Sequence, residues 1–410
     1  MELTSLYNLK ILLRCLYNMD FLPGNTVLPA EEYETNPATP LDLPLTRKVI
    51  ILATNEVNDQ TLFINGLTQN IVVLYHLFES LGYRAYLLQH SVQATEKKAF
   101  IASYRTITTQ DMVMKQLPIH AFIEIGMSLD SMTRGYLRTI GTKIVKLYLG
   151  NILNIDIETI QNYSTMFFNH HIVGEIDEIW TSPHYKQHIE YAAILNRTPI
   201  EKSRVVPYVW DSCFMTQYGN KEQFEWIPPT DWRTVDVVIV DPNISFQKCT
   251  FYSLLLVEAF SKKYPEWRGK VQVINGDRLK LSSNSHNNLL PSLELYRSGR
   301  VMLYERKKIH TILNENRSAC FLTHQWNNDY NYMTLELLYA NYPILHNSEG
   351  WSNYGYHYSI NEWEKAIQTL ANAIQNHQEN MYMYQTHAAR LIWKHSVHHP
   401  DIQRRWKELL

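Results

Sequence analysis

Short, continuously apolar runs alternate with helical stretches along this chain, and they do so in two separate series. The run VIILAT (49–54) has no polar face, which suits a parallel strand covered on both sides rather than a sheet with one wet face. In the following LTQNIVVLYHLFESLG (67–82), Ile71, Leu74, Leu77, Phe78 and Leu81 share one helical stripe, and Gly82 offers a C-terminal stop. AYLLQ (85–89) supplies the next strand. Strand, turn, helix and strand in that order make a right-handed crossover unit, the element from which doubly wound sheets are built.

The pattern continues with strands at HAFIEIG (120–126), KIVKLYLG (143–150), DEIWTS (177–182) and RVVPYVW (204–210), with helices ending near Arg138 and around HIEYAAIL (188–195). Residues 218–234 are polar, carry a Pro-Pro step and read as a junction. A second series follows at once: DVVIVDP (236–242), a helix over 251–265, KVQVING (270–276), RVMLYE (300–305), a helix from Lys307 to Asn316 and ACFLTH (319–324). The helix MTLELLYANY (333–342), the strand PILHN (343–347) and a last helix over 381–397 complete it. The expected fold class is therefore α/β, with two Rossmann-like domains over 47–217 and 218–380. A helix and linker (1–46) precede them, and residues 381–410 are expected to form a helix crossing back to the first domain.

Thirty-eight Lys and Arg against 40 Asp and Glu create no global positive field, so the balance argues against a nucleic-acid partner. Cys15, Cys213, Cys249 and Cys320 lie far apart without a Cys-x-x-Cys pair or a Cys/His cluster, which suggests neither a structural zinc site nor a disulfide framework. Scattered thiols fit a reducing, cytoplasmic compartment. Residues 3–17 are apolar but broken by Asn8, Lys10 and Arg14; a packed helix is expected there, with peripheral membrane contact as the alternative.

Ligands of open α/β sheets bind beyond the carboxyl ends of the strands, against helix N-termini. Four places qualify. Asn65-Gly66 precedes the long helix and forms an acceptor or phosphate loop candidate, with Gly126 at the end of another strand. Glu124, two residues before Gly126, is a candidate catalytic carboxylate for sugar hydroxyls. In DPNISFQK (241–248), Asn243 and Lys248 bring donors to the cleft edge, and Lys248 could neutralise a diphosphate as a point charge. HQWNNDYNYMTLELLYANYPILHN (324–347) offers N–H groups around Tyr332, Met333 and Thr334 for phosphate, and Glu336 for ribose hydroxyls.

At these residues the chain resembles the group-1 retaining glycosyltransferases, a superfamily that includes glycogen and sucrose synthases. TLELLYANYPILHN looks like the second half of that family's Glu-x7-Glu element and the strand after it, so that Glu336 matches the ribose-binding glutamate. The first glutamate falls on Asn328, a departure from the pattern. EKSRVVPYVWD (201–211) resembles the segment closing the family's first domain, and Lys248 its diphosphate contact, although the usual Gly-Arg is missing. The DPN…K and TLELLYANYPILHN segments together are also similar to a smaller, poorly characterised glycosyltransferase-like family of bacteria, phages and large DNA viruses. The resemblance implies a GT-B fold with two domains facing a central cleft. It also implies transfer of a hexosyl or pentosyl group from a nucleotide-sugar donor to a glycan or sugar acceptor, with retention. No Asp-x-Asp follows a strand, so no cofactor and no essential metal are expected. Two alternatives keep the fold: a DNA-base glycosyltransferase, which needs a basic groove with aromatic platforms, and an inactive sugar-nucleotide-binding protein, to which the missing glutamate at 328 points.

Overall fold

The computed structural model of the chain describes residues 48–54, 57, 62, 66–89, 103–162, 173–216 and 220–410. The N-terminal helix and linker expected over 1–46, and Asn65 of the candidate loop, lie outside the described residues.

Two sheets form, each wholly parallel. The first is ordered β3-β2-β1-β4-β5-β6-β7, with β1 at Val49–Ala53, β2 at Arg84–Gln89, β3 at Thr106–Thr108, β4 at Ile119–Glu124, β5 at Lys143–Tyr148, β6 at Glu178–Thr181 and β7 at Ser203–Val205. The second is ordered β10-β9-β8-β11-β12-β13, with β8 at Val237–Ile239, β9 at Val271–Val273, β10 at Val301–Leu303, β11 at Cys320–Leu322, β12 at Ile344–His346 and β13 at Tyr356–His357. Each sheet reverses its winding beside its first strand, between β1 and β4 and between β8 and β11. Those switch points are where such sheets leave a crevice for ligands.

Continuous apolarity of the strands has the expected cause. In β1, Ile50 and Leu52 pack into one core layer while Val49, Ile51 and Ala53 pack into another, so both faces are covered. The first of these layers runs without a break into the second sheet, joining Ile50 and Leu87 to Val238, Leu322 and Leu345.

Two expected elements differ, and two strands were not expected. β7 stops at Val205 because Pro207 has no N–H to give to a ladder, and RVVPYVW continues as extended chain with one isolated bridge at Trp210–Ser396. β3 and β13 are short edge strands without a continuous apolar run, and periodicity did not reveal them. Residues 381–410 are not a single helix. His377–His395 packs on the second domain, where the Tyr384 hydroxyl meets the backbone at Tyr342 and Ile344; Pro400–Leu409 then lies on the first domain. There Trp406 is buried edge-on against Phe78 and Trp180, with both ring centroids at 5.6 Å. The junction is strapped to the second domain by Arg317, which donates to the carbonyls of Glu222, Gln223 and Glu225. Among the described residues, no helix is long and apolar enough to cross a membrane.

Candidate functional site

The carboxyl ends of the two sheets face each other across a cleft of about 150 Å³. Gly66 and Gln69 line it from the helix Gly66–Ser80; Val240, Lys248, Arg306, Lys307, Met333 and Glu336 line it from the second domain.

Lys248 ends a tight turn, Phe246–Lys248, just before the helix Phe251–Lys263. The turn is held by backbone bonds from Asn243 N to the Lys248 carbonyl and from Trp326 N to the Gln247 carbonyl, both 2.9 Å, and the chain leading into it is anchored by Asp241. That carboxylate, fully buried at the end of β8, accepts from Thr323 Oγ1 (2.6 Å), His324 N (3.0 Å), Gln325 Nε2 (3.0 Å) and Ser253 Oγ (3.2 Å). Burial pushes Asp241 up to about 7 against the pull of these donors. Asn243 is a correction to the expected donor contact. It takes φ 53°, its Oδ1 accepts from Thr250 N at 2.9 Å and Oγ1 at 3.0 Å, and its Nδ2 donates to the Asn275 carbonyl. Asn243 shapes the loop; Lys248 carries the charge. Lys248 is half-buried and has no ion pair among the described residues. Its pKa is lowered, by burial first and then by Arg306, while Asp241 opposes the shift.

Glu336 reaches the same cleft from the other side. The helix Tyr332–Tyr339 begins one residue earlier than the sequence pattern suggests, so Glu336 is its fifth residue and not part of its first turn. Asn331 caps that helix, its side chain accepting from Met333 N at 3.0 Å and its carbonyl from Thr334 N at 3.2 Å. The N–H groups of Met333 and Thr334 are thus engaged within the chain, contrary to the expected phosphate role, and the Thr334 side chain is buried in the second domain. The Tyr332 hydroxyl leaves its domain and lies 2.8 Å from Asn70 Oδ1 and 2.7 Å from the Val209 carbonyl. Glu336 is 2% exposed and, among the described residues, has one hydrogen-bond donor, Gln69 Nε2 at 3.1 Å, so burial raises its carboxyl to about 7.

Asn328 is not open to the cleft either. It accepts from the Tyr185 hydroxyl of the first domain and donates to Gln325. Asn151 Nδ2 adds a further cross-domain bond to the Asn327 carbonyl, at 3.0 Å.

Glu124 is the clearest correction. It is fully buried and receives Arg134 through Nη2 at 2.8 and 3.0 Å and Nε at 3.2 Å, with Lys146 at 3.8 Å and Leu129 N at 3.2 Å. A fully buried carboxylate paired with two cations is not exposed to a sugar and ties the end of β4 to β5 and to Arg134. Gly126 takes φ +72°, and a Cβ there would meet Leu67 Cδ2 at 2.9 Å; glycine is needed for a close approach of the chain to the first helix.

The sequence pattern missed His184 and Gln69. His184 follows β6 after a Ser-Pro step, packs against Tyr330 of the second domain at 5.0 Å and is pulled down to about 3 by burial and by Lys248. It is a neutral imidazole beside the candidate cation. A strand end running into Ser-Pro-His was the available signal.

Glu336 gives a test of this geometry. Its folded pKa lies above the ordinary value, so the fold favours the protonated acid and stability falls as pH rises between about 4.5 and 7. Glu336→Gln should flatten that fall by about 1.4 kcal/mol per pH unit in denaturation curves. Parallel curves for the two proteins would show that Glu336 is solvated.

The architecture matches solved structures over nearly the whole chain. A glycosyltransferase from Rickettsia africae aligns at 11% identity and TM-score 0.54, over 89% of this chain and 98% of its own. An E. coli trehalose-6-phosphate structure bound with UDP-2-fluoro glucose aligns at 11% identity and TM-score 0.56, over 88% and 98%. Sucrose-phosphate synthase of Thermosynechococcus elongatus aligns at 11% identity and TM-score 0.51, over 88% and 98%. At these identities the likeness establishes the fold, which is GT-B. No curated protein sequence matches. Residues 49–410 match the family described as "Protein of unknown function (DUF2827)", and the chain belongs to that family.

Proposed function

We propose that this chain is a glycosyltransferase that moves a hexosyl or pentosyl group from a nucleotide-sugar to a sugar or glycan acceptor, with retention. The observation that carries this reading is Lys248, a half-buried ammonium without an ion-pair partner among the described residues, in a cleft shared with Arg306, Lys307 and the buried acid Glu336. Three cations beside one buried acid suit an anionic ligand, although Lys307 is already paired with Glu315, and a diphosphate is one that a GT-B crevice is shaped to take.

In the proposed reaction the bond between the anomeric carbon and the diphosphate oxygen breaks, and its electron pair stays on the phosphate. The acceptor oxygen forms the new bond to that carbon on the same face and passes its proton to the departing diphosphate oxygen. Charge grows on the leaving diphosphate, and Lys248 with Arg306 stabilises it there. Glu336 accepts from the ribose hydroxyls. The reading assigns no metal to the cleft: hard cations such as Mg²⁺ need several oxygen ligands, and the lining supplies one carboxylate among three cations. UDP-2-fluoro glucose bound to the E. coli neighbour supports a nucleotide-sugar as the ligand class.

A cleft of about 150 Å³ is smaller than the roughly 300–1,000 Å³ of ordinary ligand sites. Donor entry therefore has to part Gln69 from Glu336. Gln69→Ala removes the competitor for Glu336 and should tighten nucleotide binding about 2–10-fold, the worth of one net hydrogen bond. Weaker binding in calorimetry would instead make Gln69 a ligand contact.

The reading is tested by thermal shift against a panel of nucleotide-sugars. A donor at 100 times its Kd should add about 2.7 kcal/mol of stability. No shift with any nucleotide-sugar or nucleoside diphosphate would remove the proposal.

A further inference from the structure

Outside the cleft, the side chains of His76, Asp211 and Cys213 converge, with their ligand atoms all within 4.8 Å of one another. His76 lies on the helix Gly66–Ser80, seven residues past the cleft residue Gln69, hence about 10 Å along the helix axis from the cleft. Asp211 and Cys213 follow Trp210, where the chain leaves the first sheet for the second domain. Trp210 N donates there to the His395 carbonyl at 2.8 Å, so the outgoing and returning chains cross at this point. The Tyr104 hydroxyl lies 2.8 Å from His76 Nε2.

The donor set is an imidazole, a carboxylate and a thiol, all partly buried. A divalent cation placed among them would turn the carboxylate and a thiolate from mutually repelling groups into shared ligands. A tetrahedral ion with bonds of about 2.0–2.3 Å holds its ligand atoms roughly 3.3–3.8 Å apart, so the three side chains, within 4.8 Å of one another, close on it by movements of about an ångström. Mixed N, O and S ligation selects a borderline-soft first-row ion over Mg²⁺ or Ca²⁺. Sequence spacing gives no such signature, since His76 is far from the Asp-x-Cys pair and the three meet only in the fold.

We propose that His76, Asp211 and Cys213 form a zinc-type divalent cation site that ties the interdomain crossover to the first-domain helix, with Tyr104 or water completing it. Its place outside the cleft makes it a structural clamp, independent of the donor chemistry proposed above.

The test is titration of the chelator-stripped full chain with Co²⁺, followed by displacement with Zn²⁺. Wild type should bind one Co²⁺ per chain and develop a near-ultraviolet thiolate-to-metal charge-transfer band together with intense visible bands of a four-coordinate ion. Cys213→Ser should lose the thiolate band. His76→Gln should weaken Co²⁺ binding tenfold or more, and Tyr104→Phe by about 10–100-fold if its hydroxyl orients the ring. Absence of a thiolate band in wild type, a measurement that needs no variant to fold, would overturn the proposal and leave a hydrogen-bonded cluster. So would a band that persists in Cys213→Ser, because the ligand would then be another cysteine.

Discussion

Replacing Lys248 with alanine should lower kcat by about 10²–10³ while changing KM much less, comparable to losing one oxyanion donor. Negative charge on the diphosphate is greater in the transition state than in the bound donor, so a cation there acts chiefly on turnover. Lys248→Arg should restore part of the loss, limited by the fit of a longer planar head. The lowered pKa of Lys248 adds a pH signature. Its charge is lost as pH rises through a value below the ordinary 10.5, so the alkaline limb of kcat should fall earlier than for an unperturbed lysine. Near-normal turnover in Lys248→Ala would move the diphosphate contact to Arg306 and Lys307.

Trp406→Ala should cost about 3–5 kcal/mol of stability, the range for a large buried aromatic cut back to a methyl. Trp406 fills the space between Phe78 and Trp180 and seats the helix Pro400–Leu409 on the first domain. The helix end is then held by Lys143 Nζ to the Leu409 carbonyl at 2.7 Å and His120 Nε2 to the Leu410 carbonyl at 3.0 Å. Without the indole these two contacts hold an unseated helix, and the midpoint of urea denaturation should drop accordingly. A loss below about 1 kcal/mol would mean that the terminal helix is docked by its polar contacts alone.

The central strands were legible because both of their faces are buried, which writes an unbroken apolar run such as VIILA or VVI into the sequence, whereas the edge strands β3 and β13 carry no such run. The position of Lys248 after a broken strand, and of Glu336 on the helix that follows β11, was legible for the same reason: both hang on elements with strong local patterns. What each side chain touches was not. Glu124 looked like an open carboxylate because Arg134 and Lys146 reach it only once β4, β5 and an intervening helix are packed. Asn243 looked like a donor, but its left-handed φ and its grip on Thr250 are properties of the folded loop. Gln69 and Glu336 stand 267 residues apart, a separation across which no spacing rule operates.

The central claim is that the cleft transfers a glycosyl group with Lys248 opposite the leaving diphosphate. It is tested most directly by incubating wild type and Lys248→Ala with isotope-labelled nucleotide-sugars and a panel of sugar acceptors, then measuring labelled product and released nucleoside diphosphate by mass spectrometry. The account predicts that at least one donor gives a glycosylated acceptor and an equal amount of nucleoside diphosphate with wild type, and that Lys248→Ala forms both about 10²–10³ times more slowly. Binding of nucleotide-sugars without transfer to any acceptor, or transfer at equal rates by the two proteins, would contradict it.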